Sequence, residues 1–105
     1  MAIKATYYGA NGWLIELNKT RILIDPWLNG DLTFPPGDWL IKGELAKEID
    51  VPRDIDFLLL TQGQQDHAHP PTLEKIDKSI PVIASKAASE AVSYTHLTLP
   101  TIYSV

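Results

Sequence analysis

The apolar residues of this chain fall into short runs separated by turn chemistry. The most continuous is Phe57-Leu58-Leu59-Leu60, which empties into the polar stretch Thr61-Gln62-Gly63-Gln64-Gln65-Asp66-His67-Ala68-His69. An unbroken apolar run bounded by polar residues predicts a strand over 56–61 with both faces buried. Three strands are predicted upstream of it. Residues 3–8 and 13–17 are rich in β-formers, and Gly9-Ala10-Asn11-Gly12 between them tolerates the positive φ of a tight turn. Asn18-Lys19 makes the next reversal, and residues 20–25 alternate and end on a carboxylate. Pro26 stops that strand because it has no N–H to give the ladder.

Downstream, Pro70 and Pro71 suit the first turn of a helix, where a missing N–H costs little. Leu73, Ile76 and Ile80 give that helix an apolar face. Residues 81–84 predict another short strand, and Ser85 is a fitting N-cap for a helix over 86–91. The stretch 26–41 has neither helical nor strand period, and a loop of that length is often functional. Residues 42–49 predict a short helix, since Leu45 and Ile49 lie four apart among charges. Three strands, a loop, then strand–helix–strand–helix make an α/β layout with a mixed sheet and flanking helices.

Composition narrows this picture without redirecting it. A chain of 105 residues makes at most one small domain. Hydrophobic content of 45% with 21% charged residues is ordinary for a globular protein. A net charge of -4 with no basic run gives no reason to expect nucleic acid or an anionic membrane as partner. There is no cysteine, which excludes disulfides and thiolate metal sites. No signal-type segment or membrane-length apolar run occurs, so a cytoplasmic location is expected.

The candidate chemistry sits in the loop after residue 60. Asp66, His67 and His69 are metal-capable, and a buried strand that ends in such side chains holds them on rigid backbone. The same stretch also reads as strand, polar turn and helix start with no chemistry. His69, two residues past His67, can project to the same side on extended backbone. Asp25 could touch a metal, but a structural role is favoured, accepting hydrogen bonds from the turn at 26–30. Trp27, Phe34 and Trp39 either line a pocket or pack the loop onto the sheet edge, and packing is expected for Trp27.

Two stretches carry a resemblance. Ile22-Leu23-Ile24-Asp25-Pro26 and Thr61-Gln62-Gly63-Gln64-Gln65-Asp66-His67 resemble the metallo-β-lactamase fold family, in which a strand ends Asp-Pro and a later one runs into Thr-His-x-His-x-Asp-His. Gly9-Ala10-Asn11-Gly12-Trp13-Leu14-Ile15-Glu16 is similar to the Gly-His-Ser-x-x-Leu-Ile-Glu of its metal-dependent hydrolase branch. The resemblance implies the N-terminal half of a two-sheet sandwich with flanking helices. It also implies zinc or another divalent metal, whose bound water attacks a small-molecule substrate such as a phosphoester, thioester, amide or lactone. Gln62, Gln64 and Ala10 depart from the pattern, because a neutral amide oxygen is a poor zinc ligand beside imidazole. Asp66 and His67 match its second metal position, Asp66 as ligand or proton acceptor. The two could equally be structural, with His67 bonding Asp66. A subgroup of the family carries Thr-Gln-Gly at this place, and there the glutamines would mark divergence.

Two functions therefore stand beside each other: a metal-dependent hydrolase homologue, and a binding module that keeps the fold without the metal. An α/β domain unrelated to the family is a third. Val92-Ser93-Tyr94-Thr95-His96-Leu97-Thr98-Leu99-Pro100-Thr101 resembles the translation of a transposon-end sequencing adapter. The expectation is a partial domain over 1–91 and a non-native tail over 92–105, which removes His96 from the ligand candidates. A half-sandwich would be inactive alone, and its uncovered apolar face would favour self-association.

Overall fold

The computed structural model describes residues 3–33, 42–44, 47–64, 67–93 and 101–103. The chain opens as a meander of β1 (Ile3–Gly9), β2 (Gly12–Leu17) and β3 (Thr20–Ile24), paired antiparallel. Both reversals use the left-handed region that their residues tolerate: Gly9 has φ 99° and Asn18 φ 55°. After a two-stranded ribbon, β4 (Leu32–Thr33) with β5 (Lys42–Gly43), the chain returns as β6 (Phe57–Leu60). The short α1 (Pro70–Leu73), β7 (Val82–Ala84), α2 (Lys86–Ser93) and β8 (Thr101–Tyr103) follow. The large sheet runs β1-β2-β3-β6-β7-β8, antiparallel at the start and parallel from β3 onward. The mixed α/β layout is therefore the one expected.

Two backbone clips set the parallel register between β3 and β6. Asp56 donates its N–H to the Arg21 carbonyl (2.9 Å) and accepts the Arg21 N–H at Oδ2 (2.8 Å). At the other end the Asp25 N–H reaches the Leu59 carbonyl at 3.0 Å. Leu14, Leu23, Leu58 and Val82 then form one row across four strands. With Leu60 and Ala84 they make a fully buried face, closed by Ala68, Leu73, Ile76 and Ala88 from the α1 and α2 side.

The structure corrects three sequence expectations. Residues 42–49 are not a helix where described: Lys42–Gly43 is β5, and the Ile49 N–H goes to the Leu28 carbonyl at 2.8 Å. Gly43 is a poor helix residue, and two apolar positions give little face to bury. Leu45 lies outside the described residues. Burial on β6 is one-sided: Leu58 and Leu60 have no exposed surface, whereas Phe57 and Leu59 are half-buried. An apolar run shows that a strand can be covered twice, not that a second layer is present. The helix begun at Pro70 ends at Leu73, though Leu73 and Ile76 are buried as predicted.

β8 pairs in parallel with β7 at residues 101–103, within the stretch expected to be a foreign tail. The edge of β7 offers backbone groups to any extended segment, so this pairing follows from the open edge and does not depend on the tail's origin.

Candidate functional site

Asp25 is the hub of the site. It follows β3 directly, is 2% exposed, and adopts φ 43°, a left-handed conformation that aspartate accepts better than most residues. Because β3 and β6 run parallel, the two strands end side by side, and Asp25 meets Thr61. Its Oδ1 accepts the Thr61 N–H at 2.8 Å, and its Oδ2 accepts the Thr61 hydroxyl at 2.5 Å. The same Oδ2 lies 2.7 Å from His67 Nδ1. A carboxylate only accepts, so the His67 Nδ1 carries the proton of this bond. The structural role expected for Asp25 is present, but its partners come from the loop after β6 and not from the turn at 26–30.

A tight reversal delivers His67 to Asp25: the His67 and Ala68 N–H groups both bond the Gln64 carbonyl, at 2.9 and 2.8 Å. Gly63 fixes the same loop from the other side. A Cβ on Gly63 would stand 2.8 Å from the Ala87 carbonyl oxygen of α2, closer than real Cβ atoms come, so only glycine lets the loop lie on that helix. Thr61, Gln62, Gly63, Gln64, Ser85 and Ala87 line an open cleft of about 450 Å³ at the C-terminal ends of β6 and β7. In parallel sheets this end is where ligands bind.

His69 is used differently. It is 1% exposed, with Nε2 at 2.9 Å from the Asp31 carbonyl and Nδ1 at 2.9 Å from Thr72 Oγ1. The carbonyl can only accept, so Nε2 is protonated. The Thr72 hydroxyl accepts the Leu28 N–H at 3.0 Å and donates to Nδ1. Burial pushes the His69 pKa down, opposed by the hydrogen bond to the Asp31 carbonyl and by the Asp31 charge. Both of its nitrogens are engaged in joining the 27–31 loop to α1. Trp27 is buried beside it, ring centroids 6.5 Å apart, with Nε1 donating to the Gly30 carbonyl at 3.0 Å, so Trp27 packs as expected.

Of the three candidate ligands, then, His67 sits at the cleft's loop, His69 is committed elsewhere, and Asp66 lies outside the described residues, as do Phe34 and Trp39. Among the described residues no three His, Asp or Glu side chains converge as a metal set. Two contributors were missed from sequence. Thr61 is the residue that a parallel neighbour would set beside Asp25, and Thr72 stands three after His69 at a helix start, the spacing of a local hydroxyl–imidazole bond.

The model of a beta-lactamase superfamily domain matches residues 4–101. The chain belongs to the beta-lactamase superfamily. Among curated members it is 32% identical over 83 residues to a UPF0173 metal-dependent hydrolase of Paracoccus denitrificans, a match covering 77% of this chain and 31% of the relative. It is 26% identical over 81 residues to one of Cereibacter sphaeroides, with the same coverage. A third, from Rhizobium etli, is 37% identical over 65 residues, 62% of this chain and 24% of the relative. The chain thus spans about a third of the length of the first two relatives. No solved structure matches it. No described helix is long and apolar enough to cross a membrane.

The metal implied by this superfamily can be tested on the donors present. Zinc asks for imidazole, carboxylate or thiolate. The cleft offers two neutral carboxamides, and the imidazole on its loop has Nδ1 held by Asp25. The described donors do not make a two-histidine metal centre.

Proposed function

We propose that this chain keeps the scaffold of a metal-dependent hydrolase and does not itself catalyse metal-dependent hydrolysis. The observation that carries this reading is the lining of the cleft by Gln62 and Gln64. The names of its relatives, metal-dependent hydrolases, support a hydrolytic ancestry. A small-molecule ligand, a cytoplasmic location and self-association belong to the same reading, as does a partial domain over 1–91 followed by a foreign tail over 92–105. The lack of cysteine and of a basic run supports the location and argues against nucleic acid.

A second reading is favoured by one specific contact, the 2.7 Å bond between Asp25 and His67 Nδ1. Metal-ligating histidines commonly donate their other N–H to a carboxylate, which fixes ring and tautomer. In this reading His67 and Asp66 hold one divalent ion, Asp66 also serves as proton acceptor, and His69 supports the loop. Elemental analysis of the chain purified without chelator separates the two. The first reading expects no stoichiometric metal. About one ion per chain, lost on His67→Ala, would establish the second.

A further inference from the structure

We infer that β1 is the strand on which a second copy of this chain adds, antiparallel and centred on Ala5, so that two sheets become one. This rests on the self-association that belongs to the reading above, and adds which edge carries it and in what register. β1 is the outermost strand of the large sheet, hydrogen-bonded among the described strands to β2 alone. Its outer row of N–H and C=O groups is a template for another strand. The exposed large hydrophobics among the described residues are Ile3, Tyr7 and Trp13, and all three lie at this edge: Ile3 and Tyr7 on β1, Trp13 opposite Tyr7 on β2. Tyr7 is already held there. Its ring rests on Trp13, and its hydroxyl donates to the Ala10 carbonyl at 2.8 Å. A side chain ordered before association loses little freedom on association.

The register follows from the strand's own residues. A two-fold axis between antiparallel copies keeps like faces together, so its centre falls on a residue. Ile3, Ala5 and Tyr7 share one face, and Lys4 and Thr6 the other. Centred on Lys4, the pairing would set two like charges opposite each other, which is destabilising. Centred on Thr6, it would set Ile3 against Gly9, which has no side chain to cover it. Centred on Ala5, it sets Ile3 against Tyr7 of the second copy, twice by symmetry, and Lys4 against Thr6. An edge lysine commonly guards a strand from such pairing. The Lys4 ammonium instead lies 3.9 Å from the Glu16 carboxylate on β2, so its charge is answered within the chain.

The chain has no cysteine, so a single introduced thiol reports its own neighbours. The test is Ala5→Cys and Ile22→Cys, each treated with a short bismaleimide, beside sedimentation of the unaltered chain. In the edge-paired dimer the two Ala5 positions are one strand spacing apart, about 5 Å, whereas the two Ile22 positions on β3 are five spacings apart, about 24 Å. Ala5→Cys is expected to give a covalent dimer and Ile22→Cys none. Ile3→Lys should weaken the dimer by about tenfold, since symmetry removes two Ile3–Tyr7 contacts. Circular dichroism reports folding. If Ala5→Cys fails to fold, amide hydrogen exchange of β1 in the unaltered chain decides: it must slow as concentration rises. A dimer in which folded Ala5→Cys does not crosslink, or Ile22→Cys does, is joined by stacked faces. That overturns the edge pairing and leaves self-association standing. Amides of β1 protected equally at every concentration mean that the chain's own segment covers the edge, which also overturns it. A chain that stays monomeric removes both the inference and the self-association it rests on.

Discussion

His69 shows at the level of a single residue how identity and role come apart. From sequence it is a metal-capable side chain two positions past another. In the fold it is a buried cross-brace, donating to the Asp31 carbonyl and accepting from Thr72. A second proton on Nδ1 would have no acceptor unless the Thr72 hydroxyl turned and gave up its present bond. Burial accordingly lowers the pKa of the folded state below its ordinary value. The sign follows. In the window between the lowered folded value and the unfolded value near 6.5, the unfolded chain binds more protons, so stability falls as pH drops through it. Urea midpoints at neutral and mildly acidic pH should therefore converge in His69→Gln, while the unaltered chain loses stability on acidification. Equal pH dependence in the two proteins would remove His69 as the cause. Asp25 makes the complementary point: its structural role was readable from its place at a strand end, but Thr61 and His67 were not readable as its partners. They depend on β3 and β6 being neighbours, which no local pattern specifies.

Elements were legible where period and turn chemistry agreed. The meander could be read because alternating β-formers are punctuated by Gly9, Asn11, Gly12 and Asn18, and its three strands fall where those residues place them. Residues 42–49 failed because two apolar positions fit a helical face and a loop equally well, and tertiary contacts decided. The one-sided burial of β6 was illegible for a different reason, since it depends on what covers the second face. Gly63 joins the element scale to the site, being the point where the loop after β6 rests on α2. In Gly63→Ala the new methyl meets the Ala87 carbonyl oxygen and carbon, at 2.8 and 3.1 Å, and backbone cannot swing aside as a side-chain tip can. A loss of about 1–3 kcal/mol in unfolding free energy is expected. The amide resonances of Gln62, Gln64 and Ala87 should move together, because loop and helix must separate. An alanine variant as stable as the parent, with an unshifted loop, would show that the loop is not pinned there.

At the scale of the whole molecule, the two faces of the sheet are unequal. One carries the core under α1 and α2. The other presents Tyr7, Trp13, Ile24, Leu59 and Ile83 as a row across five strands, with Ala5, Ile15, Ile22 and Phe57 as a second. No charged residue interrupts either row. Ile3, Tyr7 and Trp13 on this face are 66%, 56% and 39% exposed, and the Tyr7 and Trp13 rings rest on each other at 4.8 Å. Strands about 4.8 Å apart make an apolar width of roughly 20 Å over five strands, the scale of a packed sheet interface. Water is a poor neighbour for such a surface, and a second copy of the same face is the partner always available to it. Self-association through this face is expected, and Trp13 should carry much of it as the largest exposed ring among the described residues. Replacing it with lysine places a charge in the middle of the row. Trp13→Lys should raise the dissociation constant of the self-complex by about tenfold or more in sedimentation experiments. Lysine at exposed Glu74, at the end of α1 on the opposite side of the sheet, should leave it unchanged. A chain that stays monomeric at concentrations of about 100 μM, well above the micromolar range of ordinary interfaces, would show that this face does not associate with itself.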